Sequence, residues 1–290
     1  MKKSTLFDAV KKEFRKVSGL VLVHSTLVLI LSMVLVALIF RMEISFSMIM
    51  LLSALIPMAI TMGMFFLGKA WLKPNLDRRL FSKKLPHFFS YLVILLGVNF
   101  YVSFIYQLVI NHFDVPTTDI SILFTGTVWI DLVILAYTVL IGPVFEELLF
   151  RGVILRTLDK YHRTFAILVS SALFGMMHMN LSQGVTTFFI GCVLAYASLK
   201  EESMTLPIVL HIVNNLVAVL SVALPVLSIF FSLGLIACFV GMVYLLHRHK
   251  DKIPELFKRE HCDYPYGKMF FSCWTMIVYL ILFVLFGLSF

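Results

Sequence analysis

Charge is scarce in this chain: 14% of its 290 residues are Asp, Glu, Lys or Arg, while 60% are hydrophobic and the mean hydropathy is +0.97. A soluble domain of this length needs far more polar surface, so that class is excluded and a polytopic membrane protein is expected. Cysteine is sparse as well. Cys192, Cys238, Cys262 and Cys273 include no Cys-x-x-Cys pair, which leaves neither a disulfide framework nor a thiolate metal site. No low-complexity tract and no convincing internal repeat is found, and the missing repeat counts against transporters built from paired halves. The first apolar run is full length with no small-residue cleavage site after it, so it does not read as a cleaved signal peptide.

What is present is a succession of long apolar runs, near 19–40, 44–68, 86–110, 128–158, 164–180, 182–199, 204–223, 225–247 and 269–290. Most approach the ~20 residues a helix needs to cross a bilayer. The expected fold is therefore all-α, a polytopic transmembrane helical bundle of about nine spans, with eight as the alternative because 164–180 and 182–199 are short and barely separated.

The net charge of +8 does not point to nucleic acid, because the basic residues follow the topology. Lys2, Lys3, Lys11, Lys12, Arg15 and Lys16 precede the first run; Lys69, Lys73, Arg78, Arg79, Lys83 and Lys84 follow the second. Arg156, Lys160 and Arg163 follow the fourth, Lys200 the sixth, and Arg248, Lys250, Lys252, Lys258, Arg259 and Lys268 the eighth. The alternate loops hold almost none apart from Arg41. This is the positive-inside pattern and predicts a cytoplasmic N-terminus. Within residues 1–18, Leu6, Val10, Phe14 and Val17 recur at helical spacing among lysines, as in a basic amphipathic helix lying on the inner membrane surface; a merely solvated basic flank is the alternative. The predicted organisation is this segment, N-terminal spans over 19–124, a core over 125–223 and C-terminal spans over 224–290 with a basic cytoplasmic loop at 247–268.

Ionisable groups at membrane depth cost at least a few kcal/mol each on insertion scales, so they are functional candidates. The conspicuous ones, with the buried amides, are Glu146, Glu147, Arg151, His178, His211, Asn214 and Asn215. Glu147 and Arg151 are four apart and can pair on one helix face, relieving each other's desolvation. Glu146 is rotated by about 100° and lacks that partner. Phe174 and His178 are also four apart, as are His211 and Asn215, while Asn214 points elsewhere. At ~1.5 Å per residue, Glu146 lies ~21 Å from Lys160, His178 ~22 Å from Arg163 and Asn215 ~20 Å from Glu202, with His211 a turn nearer the cytoplasm. Glu147–Arg151 is then a structural pair and Glu146 is free for chemistry. Each set alone has an ordinary explanation, such as packing or interhelical hydrogen bonding; Asp131 reads as an interfacial residue.

In order, Glu146-Glu147-(three)-Arg151, Phe174-(three)-His178 and His211-(three)-Asn215 resemble the EExxxR, FxxxH and HxxxN/D signature of the CPBP intramembrane proteases. That family includes the type II CAAX prenyl endopeptidases and the bacteriocin-processing and immunity (ABI) proteins, and Gly152 after the arginine also fits. The resemblance covers roughly residues 125–223. It implies hydrolysis of a peptide bond within the membrane. Glu146 and His178 would activate water, His211 and Asn215 would stabilise the oxyanion, and Glu147, Arg151 and Phe174 would support the site. An amide or imidazole N–H is a suitable oxyanion donor, typically worth roughly 3–4 kcal/mol. The family has been described both as metal-dependent and as a glutamate protease. Glu146, His178 and His211 form a donor set that could take Zn²⁺; metal-free chemistry is favoured here because the oxyanion role already occupies His211.

Other intramembrane protease signatures are absent. No His-Glu pair exists for HExxH, and neither GxSG nor GxGD occurs. The resemblance implies a peptide or membrane-protein substrate and a multi-pass protein of the bilayer, of the bacterial plasma-membrane kind. Two alternatives stay open: a non-catalytic scaffold, immunity or regulatory protein, and a transporter or proton relay using the same groups.

Overall fold

The computed structural model describes residues 3–82, 84–113, 124–252 and 264–287. Lys2, Lys83, Lys258, Arg259 and Cys262 lie outside the described residues, as does much of the 247–268 loop. The described residues form helices joined by short loops, with no strand. In chain order the principal helices are α1 (Lys3–Ile39), α2 (Phe46–Leu72), α3 (Phe88–Phe113), α4 (Val128–Asp159), α5 (Arg163–Met177), α6 (Leu181–Lys200), α7 (Thr205–Ala223), α8 (Ser228–Arg248), α9 (Tyr266–Phe271) and α10 (Trp274–Gly287). Seven of these are long and apolar enough to cross a membrane; α5 and α10, both shorter, complete the apolar runs seen in the sequence. The protein is thus an all-α, multi-pass membrane bundle. Large apolar side chains such as Met33, Phe89, Val128, Phe230, Val240 and Trp274 stand exposed on it, which is the surface a lipid-facing protein requires.

The first helix departs from expectation. No break separates residues 3–18 from the first span, and α1 runs 37 residues without interruption, longer by far than the hydrocarbon layer requires. Its early apolar face is not turned to lipid. Val10, Phe14 and Val17 are buried in the main core. Phe14 packs edge-on against Tyr161 and Phe270, at 5.2 and 5.5 Å between ring centres, and also meets Phe165 and Tyr266. Beside it, the Glu13 carboxylate takes hydrogen bonds from Lys160 and Tyr161. Burial, reinforced by Glu13, holds the Tyr161 phenol above its ordinary pKa and so keeps it a donor. The periodicity was amphipathic as predicted, but the apolar stripe belongs to a helix–helix interface rather than to the membrane surface.

That interface is the periphery of a core uniting α1, α2, α4, α5, α9 and α10, with Phe150, Ile154, Leu173, Phe174, Phe270 and Tyr279 wholly or almost wholly buried. A second cluster joins α3, α6 and α7 through Tyr91, Leu95, Leu194, Leu206 and Leu210. The two meet across α5 and α6, a tight hairpin turned by His178, Met179 and Asn180. Met179 takes a left-handed φ of 49°, and Asn180 caps α6 by accepting from Gln183 N–H at 3.0 Å. Glycines let the two helices close: a Cβ on Gly175 would lie 2.5 Å from the Gly184 carbonyl oxygen, and one on Gly191 3.1 Å from Ser171 Cβ. Small residues at such crossings are how membrane helices approach without a hydrophobic drive. Gly152, by contrast, has room for a Cβ, which would meet nothing nearer than 3.4 Å.

If the start of α1 is part of the core, Phe14→Ala removes a buried aromatic and lowers stability by about 3–5 kcal/mol. Thermal unfolding in detergent should show a clear drop; a melting curve identical to wild type would return the segment to the membrane surface.

Candidate active site

α4 is irregular where the carboxylates sit. Glu146 and Glu147 end a short α-helical stretch, Gly142–Glu147, between two wider π-helical segments, Tyr137–Ile141 and Leu148–Leu155. Such segments inside α-helices frequently accompany functional sites. In the first, Gly142 N–H bonds five residues back to the Tyr137 carbonyl. The next donor in that register is Pro143, which has no N–H, so the Thr138 carbonyl is left to seek a partner on another helix.

Glu147 and Arg151 are both completely buried, with Arg151 Nε 3.1 Å from Glu147 Oε2, in ion-pair contact without the alignment of a hydrogen bond. The guanidinium also donates to the Gly191 carbonyl of α6 at 3.3 Å and stacks over the Phe174 ring at 4.4 Å. These contacts distribute its charge over three helices. Glu147 does more than pair with the arginine, because its other oxygen lies 3.0 Å from His211 Nδ1 on α7. An ionised carboxylate only accepts, so Nδ1 carries the proton and Nε2 is turned the other way. There it lies 3.8 Å from Glu146 Oε2. The Glu146 side chain is 16% exposed, against zero for Glu147, so only the first carboxylate is reachable.

His178 closes this group from α5. Its Nδ1 is held by the Phe174 carbonyl at 2.9 Å, and the ring lies within electrostatic reach of Glu146 and His211. Phe174 is the wall they share, its ring edge-to-face with His178 at 5.3 Å and with His211 at 5.8 Å. Glu146, Glu147, Arg151, Phe174, His178 and His211 therefore meet.

Asn215, one turn along α7 from His211, bonds to other partners. It donates to the Thr138 carbonyl at 2.9 Å and accepts from Asn214 at 3.3 Å. The depths differ from those expected by counting from the cytoplasmic flank. His211 is level with the carboxylates, and Asn215 lies one turn, ~6 Å, further along α7. Counting along each helix could not register one helix against another. Asp131 is tied to its own loop, accepting from Thr125 N–H and Oγ1 at 2.8 and 2.6 Å.

Sequence reasoning missed two residues. His24, buried in α1, shares a hydrogen bond of 3.0 Å with Thr61 on α2, leaves Nδ1 without a partner among the described residues and lies within electrostatic reach of His178. Asn99 on α3 donates to Asn214 at 2.8 Å. Both are polar residues inside apolar runs, and the cost criterion applied to 145–152 would have found them; neither belongs to a spaced pair, so neither stood out.

Among the described residues no group of three or more His, Cys, Asp or Glu is placed to hold an ion. Glu146, His178 and His211 are neighbours without converging as ligands.

The fold and this site define a multi-pass helical membrane protein with a glutamate–histidine cluster sealed from below by an arginine. Residues 127–217 match the family model "Type II CAAX prenyl endopeptidase Rce1-like", a segment that contains all three motifs. Over 88 residues the chain is 31% identical to a Bacillus subtilis (strain 168) protein named "Putative membrane peptidase YdiL". That match takes in 30% of this chain and 36% of the relative, so the chain covers about a third of the relative's length. No solved structure matches. The resemblance to the CPBP proteases drawn from the motifs is thus supported over the segment that carries them.

The two carboxylates should respond differently to removal. Glu147→Ala strands both Arg151 and His211 Nδ1, and breaking a buried pair in this way costs about 3–5 kcal/mol. Its abundance in membranes should fall sharply while Glu146→Ala accumulates normally, as quantitative immunoblotting can measure; equal accumulation would remove the distinction.

Proposed function

We propose that the protein is an intramembrane endopeptidase of the CAAX-protease-like type, hydrolysing a peptide or membrane-protein substrate with a water activated by Glu146 and His178. One observation carries the reading: Glu146 is a partly accessible carboxylate beside two imidazoles, mounted on a Glu147–Arg151 pair that is wholly sealed. A carboxylate at membrane depth that no lysine or arginine among the described residues pairs with is costly to keep.

In the proposed reaction Glu146 takes a proton from water and the oxygen attacks the scissile carbonyl, with His178 orienting that water. The tetrahedral oxyanion is met by His211 and Asn215. Collapse breaks the C–N bond, and the proton held by Glu146 passes to the leaving amine, giving a carboxylic acid and an amine. Glu147 accepts from His211 Nδ1, so His211 donates to the oxyanion through Nε2 only in its protonated form. In that form two carboxylates are balanced by Arg151 and the imidazolium, a neutral cluster suited to a low-dielectric site. No step is routed through a metal.

Residues 125–223 form the proposed catalytic core, the alternating basic loops support a cytoplasmic N-terminus, and a count of nine crossings requires the two shorter apolar helices, α5 and α10, to cross along with the seven long ones. The family's substrates include prenylated C-termini. For a chain similar to a bacterial membrane peptidase, peptide maturation, bacteriocin self-immunity or turnover of other membrane proteins is the better-supported role.

The test compares membrane peptides from cells making wild type, Glu146→Ala and His178→Ala at matched abundance. A defined set of products should fall 10²- to 10⁴-fold in both variants, the usual scale for losing a general base. An unchanged set would leave a non-catalytic scaffold or immunity protein. A chelator should leave product formation unaltered; loss of activity restored by Zn²⁺ would instead establish metal chemistry.

A further inference from the structure

Four hydrogen bonds run head to tail across α3, α7 and α4. Ser103 Oγ donates to Asn99 Oδ1 at 3.2 Å and Asn99 Nδ2 to Asn214 Oδ1 at 2.8 Å; Asn214 Nδ2 donates to Asn215 Oδ1 at 3.3 Å and Asn215 Nδ2 to the Thr138 carbonyl at 2.9 Å. The order has one sense only. A main-chain carbonyl cannot donate, so Asn215 must present its NH₂ to Thr138, which leaves its oxygen facing Asn214. Asn214 must then present its own NH₂ and turn its oxygen to Asn99, and Asn99 must do likewise. A single acceptor, released by Pro143, thereby fixes the orientation of three amides.

We infer that Asn99 is a positioning residue for Asn215: through Asn214 it holds the Asn215 amide so that the one N–H not used on Thr138 is kept as a donor for the substrate's oxyanion. The inference rests on the proposed role of Asn215. Asn99 lies outside the family-matched segment 127–217, on a helix that contributes no motif. An isolated asparagine amide rotates between two nearly equal arrangements, one of which would direct its oxygen, and hence repulsion, at the oxyanion. In the chain, Asn214 occupies that oxygen and Thr138 takes one N–H, so the wrong arrangement breaks two hydrogen bonds at once. Donors preorganised toward developing charge act on the transition state rather than on substrate binding. Hydrogen bonds in series also reinforce one another in a low-dielectric setting.

The test uses the full-length protein in liposomes and, as probe, a quenched-fluorescent peptide spanning a bond whose cleavage in cells requires Glu146. Asn215→Ala should lower kcat about 10²- to 10³-fold, the scale of one oxyanion donor. Asn99→Leu, which keeps the branching and the number of heavy atoms, should lower kcat at least tenfold with KM within twofold. The double variant should match Asn215→Ala alone, since Asn99 has nothing left to position. Multiplying losses in the double variant, or a change confined to KM, would overturn the inference. If Asn99→Leu fails to accumulate, Asn99→Ser decides by the same criteria, its hydroxyl being too short to reach Asn214. An inactive Glu146→Ala combined with a fully active Asn215→Ala would sink this inference and leave the proposed hydrolysis standing; an active Glu146→Ala would sink the hydrolysis itself.

Discussion

Arg151 is a cation with no access to water in a protein surrounded by lipid, and the arrangement of the central helices follows from what is needed to keep it there. Its charge is met by Glu147 one turn away, by a main-chain carbonyl at Gly191 and by the face of Phe174. Those partners come from α4, α6 and α5, and Glu147 adds α7 through His211. Taking Glu147 away leaves a bare charge in a medium that cannot solvate it, and the other contacts tie the four helices to that pair. The exposed carboxylate, Glu146, is therefore carried on a platform that cannot shift without a large electrostatic penalty.

Close approach is what allows these contacts. The α5–α6 hairpin relies on bare backbone at Gly175, Gly184 and Gly191, and the last of these is also the residue whose carbonyl meets Arg151. The π-helical segments of α4 serve the opposite purpose, opening the helix so that a carbonyl at Thr138 becomes available to α7. Backbones approach closely where no side chain is present, and a carbonyl is released where a proline removes a donor. Both kinds of irregularity converge on the histidines and asparagines of the site.

The motif-bearing segment is about a third of the chain, yet helices outside it add inward-facing polar residues. His24 on α1 and Asn99 on α3 reach inward from helices with no family signature, and the start of α1 is locked to α5 and α9 by Phe14. The N-terminal helices thus supply part of the polar environment in addition to apolar cover.

Much of this was legible without coordinates. Length and apolarity of the runs dictated a helical membrane bundle, because no other described element satisfies every backbone group in lipid without pairing. The spacing of four within Glu147–Arg151, Phe174–His178 and His211–Asn215 placed each pair on one helix face, since that depends only on 3.6 residues per turn. What spacing could not supply was the registration of one helix against another. That His211 bonds to Glu147, that Asn214 joins Asn99, and that Phe14 enters the core instead of the lipid surface are all decided between helices, by close packing and by the need of buried charges and amides for partners. Sequence alone determined which residues are costly to bury in a membrane; only the tertiary structure decided which of them offset one another's cost.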